Sequence, residues 1–263
     1  MPFTSSCLVC VEFSSHLMNI HLNGSARRLG MIAAVATALI GAIVPLSALA
    51  VETNPVKDDG LWLAQTEPDQ SSPALPYLRR GLILARTGDF QQAIEQFNQA
   101  IELDPELGVA YGNRGFTRAA IGDNQGAIED FSRAIELNPE DAIMFASRGI
   151  TYAEMGDPET ALVDLDRAIE LNPEFPPTYY NRGLVRAEVE DSEGAIEDLT
   201  TAIELDGDFA QAYDARGTVR SELGDTEGAI EDLETAANLF QSQGNTTEYR
   251  ETMEALEQLR EAE

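Results

Sequence analysis

Residues 74–243 repeat themselves every 34 positions, and no other feature of this 263-residue chain restricts its fold as tightly. Gly81, Gly115, Gly149, Gly183 and Gly217 share the step, as do Ala93, Ala127, Ala161, Ala195 and Ala229. A second alanine column runs Ala100, Ala134, Ala168, Ala202 and Ala236. Aromatic residues recur at Tyr77, Tyr111, Phe145, Tyr179 and Tyr213, and large apolar residues at Phe97, Phe131, Leu165, Leu199 and Leu233. A chain with a fixed period of this length builds one small unit many times. No unit can bury its apolar face alone, so neighbours must stack.

The grammar inside each unit is two helix-length segments and a turn. In the second unit the segments are roughly Val109–Ile121 and Asn124–Leu137, separated by Gly122-Asp123. Gly88, Gly122, Gly156 and Gly224 suit a helix end that needs positive φ. Asp89, Asp123, Asp157, Asp191 and Asp225 follow as N-caps that accept bonds from free backbone N–H groups. Pro158 fits the first helical position, where its missing N–H costs nothing. Pro105, Pro139 and Pro173 end the second segments. Column Gly81 allows close approach of two helix backbones. The two alanine columns lie on one helical face and allow antiparallel helices to nest.

These residues resemble the tetratricopeptide repeat (TPR) family in period, in helix-turn-helix grammar, in the Gly and two Ala columns, and in closings such as Ala100-Ile101-Glu102-Leu103-Asp104-Pro105. The resemblance covers five units, 74–107, 108–141, 142–175, 176–209 and 210–243. It implies an all-α fold, a right-handed superhelical solenoid. Glu190 replaces the turn glycine of the fourth unit, and Gly207 and Gln241 replace closing prolines. A looser turn is expected near residue 190, with no unit lost. Residues 244–263 carry Tyr249, Met253, Leu256 and Leu259 at helical spacing and are expected to form a capping helix.

Arg80, Arg114, Arg148, Arg182 and Arg216 occupy a column that is commonly Leu in the family. Asp130, Asp164, Asp198 and Asp232 follow their unit's arginine by 16 residues, with Gln96 in the first unit. The pattern predicts a ladder of bidentate Arg–Asp pairs tying first to second helices, within or between units.

The resemblance also implies a concave groove lined mainly by the first helix of each unit and used for peptide or protein recognition. Carried over by register, the partner-binding residues are Leu78, Leu82, Phe116, Ile150, Tyr180, Leu184, Glu188, Asp214 and Glu222, with Leu75, Ile143, Glu154 and Thr218 beside them. The groove thus begins apolar and becomes acidic, which suits an apolar segment with a basic flank. One subclass of the family grips chaperone C-terminal carboxylates through groove lysines. Leu78, Gly112, Ala146, Tyr180 and Asp214 stand there instead, and the only lysine is Lys57, so that function is not expected.

Composition removes whole classes of function. The chain has 17 Lys+Arg against 46 Asp+Glu, a net charge of −29, which repels phosphate backbones and argues against nucleic-acid binding. Cys7, Cys10, His16 and His21 all precede residue 30. The repeats therefore lack the residues for disulfides, thiolate or Ser-His-Asp catalysis, or a His/Cys zinc site. Acids this numerous on regular helices produce close carboxylate pairs by accident, and no residue set breaks the repeat to build a catalytic pocket. Asp123-Asn124-Gln125-Gly126 lacks the spaced ligands of a calcium loop. No enzyme activity, cofactor or metal is expected.

Arg27-Arg28, the apolar run Met31–Val44, Pro45 and Ala48-Leu49-Ala50 form a secretory signal pattern, with cleavage expected after Ala50. The alternative is an uncleaved anchor over residues 29–51, which carry no charge and are long enough to span a bilayer. Cys7-Leu8-Val9-Cys10 matches a C-x-x-C spacing, read as chance because no second ligand pair follows. Residues 51–73 are polar and Pro-bearing and are expected to be a flexible linker, interrupted by Leu61-Trp62-Leu63, a short apolar triplet that could dock on the folded body or on a partner. The expected product is an exported, non-catalytic interaction or assembly scaffold in a periplasmic or lumen-like compartment. If residues 29–51 stay uncleaved, it is a membrane-tethered adaptor facing that compartment.

Overall fold

The computed structural model describes residues 72–261. The signal or anchor pattern, the C-x-x-C pair and the Trp62 triplet lie outside the described residues. Within them the chain forms eleven helices and no strand. Unit one contributes α1 (Leu75–Arg86) and α2 (Phe90–Leu103). Unit two contributes α3 (Gly108–Ala120) and α4 (Asn124–Leu137), and unit three α5 (Ala142–Glu154) and α6 (Pro158–Leu171). Unit four holds α7 (Pro176–Glu188) and α8 (Ser192–Leu205), unit five α9 (Ala210–Glu222) and α10 (Thr226–Gln243), and α11 (Thr246–Glu261) closes the stack. Each first helix packs on its own second helix and on the second helix of the preceding unit, and first helices of adjacent units also touch. The result is a solenoid. Among the described residues no helix is long and apolar enough to cross a membrane.

The columns explain the packing. Ala93, Ala127, Ala161, Ala195 and Ala229 are fully buried where the two helices of a unit cross. Gly115 faces the ring of Phe131: a Cβ built there would sit 2.7 Å from Phe131 Cε1, closer than packed carbons allow. Phe97, Phe131, Leu165, Leu199 and Leu233 fill the remaining volume of their units.

The turns keep one geometry throughout. Gly88, Gly122, Gly156 and Gly224 adopt φ near +80°. Glu190 takes the same place at φ +66°, and its turn is no looser than the others, contrary to expectation. Asp191 N–H donates to Arg186 O at 2.9 Å, as Asp123 N–H does to Arg118 O at 2.9 Å. Neighbouring packing holds the geometry, and the backbone at Glu190 carries a strain of about 1 kcal/mol. The cap of the first unit also departs from expectation. The Asp123, Asp157, Asp191 and Asp225 side chains accept from a backbone N–H three residues on. Asp89 makes no such bond and instead accepts from the Thr87 hydroxyl at 3.1 Å.

The missing prolines have different consequences. Asp206, before Gly207, is as extended (φ −140°) as Asp104 before Pro105 (φ −144°), so unit four closes normally. With Gln241 in place of proline, α10 runs on to Gln243, 18 residues in all, and stops at Gly244 in the left-handed conformation. Helix α11 then covers the last unit through Leu256, with Tyr249 and Leu259 partly buried beside it. Met253 points outward and Thr252 is buried in its stead, because the buried face follows positions 249, 252, 256 and 259.

Candidate functional site

A polar seam positions the first helices. The Arg114 guanidinium forks onto Asp130, Nε to Oδ2 at 2.9 Å and Nη2 to Oδ1 at 2.6 Å. Arg148 does the same to Asp164, Arg182 to Asp198 and Arg216 to Asp232. The third nitrogen of each fork crosses to the preceding unit. Arg114 Nη1 donates to Asn98 at 2.6 Å, Arg148 to Ser132 at 3.0 Å, Arg182 to Asp166 at 2.6 Å and Arg216 to Thr200 at 2.9 Å. Each guanidinium also lies over the aromatic ring three residues before it, at 5.5–5.8 Å. The arginine column is thus a set of rivets, both within and between units.

Sequence reading missed a second arginine column. Arg118, Arg186 and Arg220 each donate to the same aspartate from the other side, at 2.9–3.0 Å. The signal was present in the 34-residue step, but Tyr152 interrupts it in unit three. Sequence reading also missed Asp141, the buried cap of α5. One of its oxygens accepts from Ile143 and Met144 N–H; the other has no hydrogen-bond partner. Burial pushes its carboxyl up to about 6.

The apolar and aromatic residues assigned to the groove by register fall into three groups. Leu78 is fully buried in the first unit's core with Ala93 and Phe97, and Leu82 is half-buried against that core. Phe116 stands edge-on to Phe131, ring centroids 5.1 Å apart, half-buried in unit two. Ile150, Leu184 and Tyr180 come together in one cluster with Ala215 and Val219, so three successive first helices meet there. The Tyr180 ring also leans on Phe209 at 5.1 Å.

Charge collects at the far end. Asp214 lies beside Tyr180. Burial pushes the phenol of Tyr180 up, and the Asp214 charge adds to the shift. The Asp214 carboxyl is itself raised, first by burial and then by nearby Glu251, against the hydrogen bond it accepts from Thr252 on α11 at 2.7 Å. Glu154, Glu188 and Glu222 continue the 34-residue step on α5, α7 and α9. Glu154 and Glu188 are half-buried and Glu222 is exposed. Burial raises the Glu154 carboxyl. Two columns run along the first helices: an apolar one of Leu82, Phe116, Ile150 and Leu184, and, four residues on, a second that holds Arg86 and Ala120 in the first two units and Glu154, Glu188 and Glu222 in the last three.

Tetratricopeptide repeat profiles match residues 74–107, 109–141, 142–175, 176–209 and 210–243, which is all five units. Among solved structures, the chain is similar to MamA, at 25% identity over 63% of this chain and 96% of that one, with a TM-score of 0.58. It is similar to the MamA of Desulfovibrio magneticus RS-1, at 22% identity over 65% and 96%, with a TM-score of 0.60. A third similar structure is YrrB, described as a TPR protein with an unusual peptide-binding site, at 22% identity over 70% and 94%, TM-score 0.55. No curated protein matches the chain. Repeats of this kind are non-catalytic interaction scaffolds, and on the match of its five units the chain belongs to the tetratricopeptide repeat family.

Proposed function

We propose that the first helices of the stack bind an extended or helical segment of a partner protein, apolar at one end and basic at the other. The carrying observation is the pair of columns on the first helices: half-buried Leu82 and Phe116 open the apolar one in the early units, and Glu154, Glu188 and Glu222 stand in line four residues on in the later ones. An apolar anchor would supply contact area, and the carboxylates would set the orientation of the bound segment. Peptide binding by the similar TPR protein YrrB supports this reading.

The chain would work after export, released by cleavage after Ala50. A tethered form is the second reading, favoured by the uncharged length of residues 29–51. Intact mass and fractionation of the protein from its own cells separate the two. The binding test is titration of the full chain with a synthetic peptide bearing an apolar block followed by lysines. Replacing Glu154, Glu188 and Glu222 by Gln should weaken binding about tenfold and flatten its salt dependence. Unchanged affinity in the triple variant overturns the groove assignment.

A further inference from the structure

The two ends of the stack are finished differently. At the C-terminal end, α11 covers the last unit through Leu256 and Thr252. At the other end, α1 has no helix before it among the described residues, and its outward face is the one that every other unit buries. The column that holds Thr117, Thr151, Val185 and Val219 at 3–5% exposure holds Ile83 at 55%. Tyr77 is exposed, whereas Tyr111, Phe145, Tyr179 and Tyr213 are covered further. Arg80 stands in the rivet column, but Gln96 replaces its aspartate, and among the described residues no preceding unit stands beside its outer nitrogen. Arg79 is exposed next to it. The face is therefore apolar with two cations, and the grammar of the inner units states what it lacks: an apolar side chain over Ile83 and an acceptor for Arg80.

We propose that the chain's own residues 58–67 dock on this face, with Trp62 against Ile83 and an acid of the segment accepting from Arg80. The segment supplies the missing chemistry. Leu61-Trp62-Leu63 is its apolar triplet, and Asp58, Asp59 and Glu67 flank it. The geometry allows it: eight residues separate Leu63 from Ser72, a reach of about 30 Å, against about 12 Å of helix rise from Leu75 to Ile83. A second copy of the chain fits less well. End-to-end pairing would bring Arg79 and Arg80 of both copies together, and end-to-tail stacking meets the face that α11 already covers. The docked segment is an N-terminal cap of the stack, and its release would free an apolar end. This inference is independent of the groove reading.

Trp62 is the only tryptophan, so its fluorescence in the purified full chain reports the contact directly. Docking predicts blue-shifted emission and acrylamide quenching slowed severalfold relative to free tryptophan, independent of protein concentration. Ile83→Asp and, separately, Arg80→Glu should return both signals to water-like values with helical circular dichroism unchanged, since both side chains are exposed. Water-like emission in the parent chain overturns the proposal. So does emission that neither variant moves. Protection that disappears on dilution also overturns it, in favour of a neighbouring copy's segment.

Discussion

Units two and three match position for position at a step of 34, yet they hold the seam carboxylate differently. Asp130 sits between Arg114 and Arg118, whereas Asp164 has Arg148 alone because Tyr152 stands where the second arginine would be. Both aspartates are buried and both units keep the same helices. The stack tolerates losing one guanidinium as long as the carboxylate that remains is still forked. A buried ion is expensive only when its partner is missing, and one bidentate arginine satisfies both oxygens.

Breaking the pair from the acid side should have the largest effect. Asp130→Ala leaves two guanidiniums facing each other across the seam and is expected to cost about 3 kcal/mol, while Asp164→Ala strands one and should cost about 2 kcal/mol. Urea unfolding of the two variants measures the difference. Equal losses would mean that the second arginine contributes nothing.

The joint between the same two units gives the next test. Where Leu107, Phe175 and Phe209 sit at the other joints, Asp141 closes unit two and caps the first helix of unit three. Its folded pKa of about 6 lies above the ordinary 3.8, so the charged form costs stability above pH 6. That cost is relieved as pH falls through 6 and is gone below the unfolded value. Its full size is about 2–3 kcal/mol. Asp141→Asn should stabilise the chain at pH 7.5 by about 1 kcal/mol, the unpartnered amide keeping part of the penalty. It should also flatten the stability profile between pH 4 and 6. A profile identical to that of the parent chain would reject the assignment.

Smaller effects come from exchanging features between units. Glu190→Gly gives unit four the turn of its neighbours and should raise stability by about 1 kcal/mol, read as an upward shift of the thermal midpoint. Arg118→Tyr copies unit three into unit two. It should cost less than about 1 kcal/mol, because Arg114 keeps its fork on Asp130. A loss of several kcal/mol would show that the double clamp is required in unit two and that Tyr152 is compensated elsewhere.

Much of this was legible in the residues. Helix bounds, turn glycines, four of the five aspartate caps and the Arg–Asp offset of 16 are local or periodic features, and at least four of the five units report each of them. Departures were harder to judge from sequence. Glu190 suggested a looser turn because its own preference opposes positive φ, but packing on both sides outweighs a strain of that size. Asp89 was expected to cap α2, and a competing hydroxyl two residues away took its carboxylate. The groove was legible only as a register. Position along a helix says that Leu78 and Leu82 lie on related faces, not that one is fully buried and the other half-open.

The sequence by itself determined the period, the five units, the alternation of helix and turn, and the acidic, lysine-poor character of the repeats, because each follows from short-range stereochemistry or from counting. The tertiary structure alone decided which nitrogen of each arginine crosses to the preceding unit, which aspartates are clamped twice, that Thr252 closes on Asp214, and that Ile83 is left exposed at the first-unit end. Those outcomes depend on distances between residues 12 to 38 positions apart, which stacking of neighbouring units sets and no local preference encodes.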